Sequence, residues 1–221
     1  IINLIIAQMM SLNRVQKLIQ SMIGEVLSET SFLNFILRLY DSLATWEVNA
    51  VEEILKSNAI NADETSLRVD KKNQWIHSYS AEDITLKFLH KKRGTEAINE
   101  INIIPRYSGV MIHDCWSPYL TYEHCEHGLC GSHLVRELTH VVESNDYRFA
   151  TLMKELLLET CKTVSKRKLK KLSQKQYANL QKRYRNIITR GESELPEIPQ
   201  KPNGQRGVMA KSDAHNLWER L

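Results

Sequence analysis

The spacing of apolar residues changes near Asn61, and this change limits the folds that the chain can adopt. Residues 11–58 carry apolar side chains three or four positions apart, which is the spacing of an amphipathic helix. Beyond Asn61 apolar and polar residues alternate, for example over residues 84–88, which is typical of a half-buried strand. The sequence therefore predicts a helical region followed by a sheet.

The helical region contains a break that can start a second helix. Ser28-Glu29-Thr30-Ser31 offers hydroxyl and carboxylate groups that cap a helix N-terminus. This region is either a packed helical hairpin or a DNA-binding helix-turn-helix. The hairpin is favoured, because a helix-turn-helix sequence has little that sets it apart from other helix pairs.

Five strands and two helices are predicted after Asn61. The first three strands, at 65–70, 74–80 and 84–90, form an antiparallel meander. A helix over 95–103 follows, and then a short apolar strand, Ser108–His113, that ends in Asp114. The last elements are a strand at Gly128–Cys130 and a helix over Ser132–Glu143. This order predicts an α/β fold with a ribonuclease H-like mixed sheet, in which parallel strands extend the meander.

The predicted organisation adds helical segments on both sides of this sheet. We expect an N-terminal helical region at 1–60, a partial catalytic core at 61–145, a basic helical insertion at 146–191, a linker at 192–209 and the start of a cut helix at 210–221. The chain begins with Ile1 and stops at Leu221 within that last helix, so we expect both ends to be incomplete.

Composition favours a soluble protein of the cytoplasm. Hydrophobic residues make up 42% of the chain, which is enough for a core, and the longest apolar stretch, Ile1–Met10, is too short to span a bilayer. It also lacks the basic start of a signal peptide. Four cysteines are few for 221 residues, which favours free thiols over a disulfide framework.

Two aspartates stand at the ends of predicted strands. Asp63 precedes the first strand and Asp114 follows the fourth, and in a ribonuclease H-like sheet these strands are parallel neighbours. Paired carboxylates bind hard divalent cations, and such cations promote phosphodiester chemistry. The alternative is that Asp63 only caps a turn.

Three blocks of sequence, in order, resemble the insertion-sequence 66 family of bacterial transposases. The first contains Asp63, the second contains Asp114 and the third contains Cys130 and His133. They read Asn61-Ala62-Asp63-Glu64-Thr65, Ser108-Gly109-Val110-Met111-Ile112-His113-Asp114-Cys115-Trp116 and Leu129-Cys130-Gly131-Ser132-His133-Leu134-Val135-Arg136-Glu137-Leu138.

The resemblance implies a transposase with two catalytic aspartates and one glutamate. Asp63 and Asp114 would be the aspartates and would bind Mg²⁺ or Mn²⁺, and the partner would be DNA, bound by a homo-oligomer associated with the bacterial nucleoid. The glutamate, in an Asn-Asn-x-x-Glu-Arg block, is expected beyond Leu221. Two alternatives stay open, a DNA-binding remnant of a decayed element and a ribonuclease H-like nuclease that takes another acid from this chain.

Cys130 and His133 are expected beside the active site, at the end of the fifth strand. A zinc site is the alternative, since His124, Cys125 and His127 lie close by in the sequence. Glu64 is excluded from the metal site because neighbouring side chains of a regular strand point to opposite faces.

The chain carries its positive charge unevenly. Residues 161–190 contain eleven Lys or Arg and no Asp or Glu, although the net charge of the whole chain is only +4. Such a run favours contact with DNA phosphates over a merely solvated helix face. The residues predicted to bind DNA are Lys166, Arg167, Lys168, Lys170, Lys171, Lys182, Arg183 and Arg185.

Overall fold

A computed structural model describes residues 1–198 and 209–221 of the protein. Within this range the chain forms two compact units. The first consists of Ile1–Ile60 and Glu64–Gly109, and the second consists of Asn61–Asp63 and Val110–Leu221. Residues 61–63, which include Asp63, therefore belong with the residues that surround Asp114.

The first unit begins with a helical region, as predicted. Helix α1 spans Leu12–Ile23 and α2 spans Glu29–Lys56. Gly24 ends α1 with a φ of 77°, a left-handed conformation that glycine adopts without strain. The predicted cap of α2 is confirmed, since the Ser28 hydroxyl accepts a hydrogen bond from the Ser31 amide at 3.1 Å. Neither α2 nor another helix within the described ranges combines the length and apolarity that a membrane span requires.

The meander consists of β1 (Ala59–Val69), β2 (Lys72–Ala81) and β3 (Ile84–His90). Asp70 and Lys71 connect β1 to β2 with φ values of 49° and 63°, the backbone of a tight two-residue hairpin turn. Strand β3 is antiparallel to β2 and agrees with its predicted bounds. The predicted start of β1 at Thr65 is wrong, because Ile60 and Ala62 already alternate with exposed residues. Alanine is a weak apolar signal, so this alternation was missed.

The sheet continues beyond the meander with two short strands. Helix α3 (Thr95–Ile101) leads to β4 (Val110–His113), and β5 (Glu126–Leu129) pairs with β4 in parallel. The order of hydrogen-bonded neighbours is β3-β2-β1-β4-β5. The predicted ribonuclease H-like sheet, a meander extended by parallel strands, is therefore confirmed.

Four helices complete the second unit. They are α4 (Gly131–Asn145), α5 (Arg148–Ser165), α6 (Gln174–Glu194) and α7 (Asp213–Trp218). Their core includes Leu138, Phe149, Met153 and Leu217, each almost fully buried. The last helix begins at Asp213 rather than near Ala210. Ser212 is its N-cap residue. Of the predicted linker, residues 192–194 belong to α6, and residues 199–208 lie outside the described residues.

Gly191 provides a test of how α6 and α7 pack. A Cβ atom at this position would lie 2.5 Å from Cδ1 of Trp218 and 3.2 Å from Cγ of Phe149. Trp218 cannot move away freely, since its indole N–H donates to the Ile188 carbonyl at 2.9 Å. We expect Gly191→Ala to lower the free energy of unfolding by about 1–3 kcal/mol, despite alanine's better helix propensity.

Urea unfolding followed by circular dichroism measures this change. Gly131→Ala is the matched control, because a Cβ at Gly131 meets no atom within 4 Å. Equal stability of the two variants would show that Trp218 does not pack against Gly191 in solution.

Candidate active site

Asp63 lies within β1 rather than at its start. Ile60 and Ala62 are buried on one face of the strand, and Asp63 alternates with them and is exposed. A regular strand therefore presents the Asp63 carboxylate on the face opposite to Ala62.

Asp114 follows directly after β4, and β4 is the hydrogen-bonded neighbour of β1. Its side chain is half-buried, and Oδ1 accepts a hydrogen bond from the Trp116 amide at 3.1 Å. This bond turns the chain away from the sheet and limits the conformations of the carboxylate. The structure thus places the two predicted aspartates on adjacent strands of one compact unit.

Behind Asp114 lies a histidine that the sequence analysis did not single out. His113 is fully buried, and its Nδ1 donates to the backbone carbonyl of Asp114. Its Nε2 is 2.9 Å from Nδ1 of His127 on β5, and His127 Nε2 lies 3.1 Å from the Tyr122 carbonyl oxygen. A polar residue at the end of the apolar run Val110–Ile112 was the available signal, since a buried histidine needs hydrogen-bond partners.

Cys130 and His133 follow β5, which ends at Leu129 rather than at the predicted Cys130. The Cys130 amide donates to the His113 carbonyl at 2.7 Å, which continues the β4–β5 pairing by one residue, level with Asp114. Cys130 is also the N-cap residue of α4, and His133 lies in the first turn of that helix. His133 lines a cleft of about 500 Å³ together with Arg136 and Arg220. The Nδ1 atom of His133 is buried and forms no hydrogen bond within the described part of the chain.

The donors of the alternative zinc site have other partners. Cys125 is buried, its thiol donates to the Tyr122 carbonyl at 3.3 Å, and burial raises the pKa of the thiol. A raised pKa disfavours the thiolate that binds zinc. Both ring nitrogens of His127 are hydrogen-bonded. Over residues 1–198 and 209–221, no group of three or more His, Cys, Asp or Glu is arranged to hold a metal ion.

Comparison with protein families gives a match over the whole chain. The profile of the IS66 family of transposases matches residues 1–221. This chain belongs to the IS66 transposase family. The predicted family and the predicted class, a transposase with two aspartates and one glutamate, are thereby confirmed.

Solved structures with some similarity to this IS66-family transposase are viral integrases. The catalytic core domain of HTLV-2 integrase in complex with magnesium is 13% identical, with a TM-score of 0.28, over 48% of this chain and 85% of that one. The intasome of simian T-cell lymphotropic virus in complex with the PP2A regulatory subunit B56 gamma is 14% identical, with a TM-score of 0.28, over 71% of this chain and 62% of that one. Curated proteins give no match. The family assignment rests on the profile alone.

Glu64, next to Asp63 in this transposase, forms an ion pair in the first unit. Its side chain is only 1% exposed and lies 2.6 Å from Nη2 of Arg93. Arg93 Nε also donates to Glu64 at 2.8 Å, and the guanidinium lies 5.1 Å from the centre of the Trp75 ring. Both Arg93 nitrogens contact the same carboxylate oxygen, Oε1 of Glu64. The side chain of Glu64 is therefore committed to Arg93 in the first unit, whereas Asp63 belongs to the second.

The basic residues of the transposase lie in two places. Residues 166–171 connect α5 to α6, and Lys182, Arg183 and Arg185 lie on α6. Two side chains of the connection donate to backbone carbonyls. Lys170 donates to the carbonyl of Ser165, and Arg167 donates to the carbonyl of Lys171. Arg183 pairs with Glu159 at 2.8 Å, which raises the pKa of the guanidinium and lowers that of the carboxyl group.

Three lysines of the connection have no such partner. Lys166, Lys168 and Lys171 are exposed, and none of their side chains forms a hydrogen bond or an ion pair with the described residues. They follow the C-terminus of α5, where the helix dipole favours positive charge. The connection therefore presents a concentrated positive surface to solvent, whereas Arg183 is partly neutralised.

Proposed function

We propose that Asp63 and Asp114 are two of the three catalytic carboxylates of this IS66-family transposase. The observation that supports this proposal is their position on the hydrogen-bonded neighbours β1 and β4, within one compact unit. The two residues lie far apart in the sequence, and the pairing of β1 with β4 brings these two parts of the chain together.

The chemistry of the two side chains fits a hard divalent cation. Asp63 is exposed, and Asp114 uses Oδ1 for the Trp116 amide, which leaves its second oxygen available to a ligand. Mg²⁺ and Mn²⁺ take oxygen ligands, commonly one or two carboxylates with water and phosphate. The nearby nitrogen donors His113 and His127 bind each other, so the site offers oxygen rather than nitrogen.

In the proposed reaction the bound cations would activate the attacking oxygen and stabilise the leaving oxygen at a DNA phosphodiester bond. Asp63 and Asp114 would orient these cations on rigid strands. Cys130 and His133 would position the DNA or the start of α4 beside them. The nucleophile would be water in strand cleavage and a DNA 3′-hydroxyl in strand transfer.

Residues of the basic segment would bind the DNA backbone. Its exposed lysines would attract phosphates without regard to base sequence. The residues assigned to this role are Lys166, Arg167, Lys168, Lys170, Lys171, Lys182, Arg183 and Arg185. We further propose that the transposase acts as a homo-oligomer on DNA and is associated with the nucleoid in the bacterial cytoplasm.

Iron-directed cleavage of the chain tests the shared metal site. With Fe²⁺ in place of Mg²⁺, ascorbate and peroxide generate hydroxyl radicals at the bound ion, and these cut the nearest backbone. We expect two sets of fragments, with ends close to residues 63 and 114, both suppressed by excess Mg²⁺. Cuts near one aspartate only, or cuts that Mg²⁺ does not suppress, would contradict a site that both residues share.

A further inference from the structure

The histidine pair behind Asp114 joins the two ends of the loop that follows β4. His113 Nδ1 donates to the carbonyl of Asp114, the first residue of the loop. His127 Nε2 lies 3.1 Å from the carbonyl oxygen of Tyr122, near the end of the same loop. The two rings meet at 2.9 Å and nearly at right angles, with an interplanar angle of 89°.

The ring of His113 is held on several sides. It is fully buried, and the Tyr119 ring, also from the loop, packs against it with centroids 5.0 Å apart. His127 differs, since it lies exposed on β5 and contacts His113 only through its edge. Removal of the His127 ring would therefore disturb little of the core, yet it would remove the bond between His127 and the buried Nε2 of His113.

We infer that His127 is a positioning residue for Asp114, because it fixes His113 and, through it, the backbone that carries the Asp114 carboxylate. The inference rests on the proposed role of Asp114 as a metal ligand. Removal of a group that directly orients a metal ligand typically lowers metal affinity by about 10- to 100-fold, and His127 acts one contact further away, through His113. In the zinc alternative His127 would be a metal ligand. In the present inference it acts instead through its hydrogen bond to His113.

Two substitutions separate the two bonds of His127. The amide of asparagine occupies the place of Nδ1, so His127→Asn keeps the bond to His113 and loses the bond to Tyr122. The longer glutamine places its amide near Nε2, so His127→Gln keeps the Tyr122 bond and loses the bond to His113. His127→Ala loses both, and His124→Ala is the control, since His124 is an exposed histidine of the same segment.

The readout is the dissociation constant for Mn²⁺, measured on the full chain by the loss of the free Mn²⁺ signal in electron paramagnetic resonance. We expect His127→Ala and His127→Gln to raise this constant by about three- to tenfold. His127→Asn and His124→Ala should stay within about twofold of the unsubstituted chain. The thermal midpoints of His127→Ala and His127→Gln should fall by a few degrees, because both variants lose the bond to the buried His113. A merely structural role would lower these thermal midpoints but leave the dissociation constant for Mn²⁺, measured well below them, unchanged.

Asp114→Asn in the same series distinguishes the possible failures. If it weakens Mn²⁺ binding and His127→Ala does not, the positioning role is wrong and the metal site stands. The positioning role is also wrong if His127→Asn binds as weakly as His127→Ala. If Asp114→Asn binds Mn²⁺ as well as the unsubstituted chain does, the proposed metal site itself fails, and the inference fails with it.

Discussion

Asp114→Asn is expected to weaken Mn²⁺ binding by roughly 10- to 100-fold, and Asp63→Asn should do the same. Asparagine keeps the size of the side chain and the oxygen that accepts the Trp116 amide. The change therefore removes the charge and leaves the turn after β4 intact. A 30-fold loss corresponds to about 2 kcal/mol of binding free energy.

The double variant tells whether the aspartates share ions. If both bind the same cation, the first substitution already destroys most of the site, so the double variant should bind little worse than either single one. Two separate weak sites would give additive losses instead. Glu126→Gln is the control, since Glu126 is an exposed carboxylate on β5, paired in register with Val110.

Activity provides the second measurement. We expect any metal-dependent cleavage or strand transfer by a longer chain that includes this region to be lost in both single variants, by a factor of about 10³ or more, because catalytic groups that act together are strongly non-additive. Full activity in either variant would exclude that aspartate from catalysis.

Neutralisation of the basic connection between α5 and α6 is expected to weaken binding to duplex DNA by about 10²- to 10³-fold near physiological salt. The variant carries glutamine at Lys166, Arg167, Lys168, Lys170 and Lys171. Each lost phosphate contact should reduce the slope of log affinity against log salt by about 0.9. Lys166, Lys168 and Lys171 should account for most of this change, because Arg167 and Lys170 already bind carbonyls.

A second set of five basic residues provides the matched control. Arg68, Lys71, Lys72, Lys87 and Lys91 are exposed on the first unit, and their replacement by glutamine changes the net charge equally. Fluorescence anisotropy with labelled duplexes at several salt concentrations compares the two variants. Equal losses would mean that net charge alone attracts DNA and that the connection is not the binding surface.

The helices and the long strands were predictable because their signals are local. The alternation over residues 84–90 and the cap at Ser28 depend on neighbours a few positions apart, and both agree with the structure. The start of β1 was missed because Ala59 and Ala62 contribute little apolar contrast. Asp63 lies on β1, and Asp114 directly follows β4. That these two strands are neighbours was predictable only from the expected strand order of the sheet.

The roles of the histidines and cysteines were not predictable in this way. His124, Cys125 and His127 are spaced in the sequence like possible zinc ligands. In the folded chain His127 binds His113 and the Tyr122 carbonyl, and the Cys125 thiol is buried against the same carbonyl. Likewise, Glu64 pairs with Arg93, which is 29 positions away.

The sequence by itself determined the order of helices and strands, the three family blocks and the concentration of positive charge, because each depends on residues close together in the chain. Only the tertiary structure decided which ring nitrogen of His113 faces Asp114, and which basic side chains are already paired. A hydrogen bond depends on the distance and direction between two atoms, and these are set by the packing of β4 against β5 and of α5 against α6.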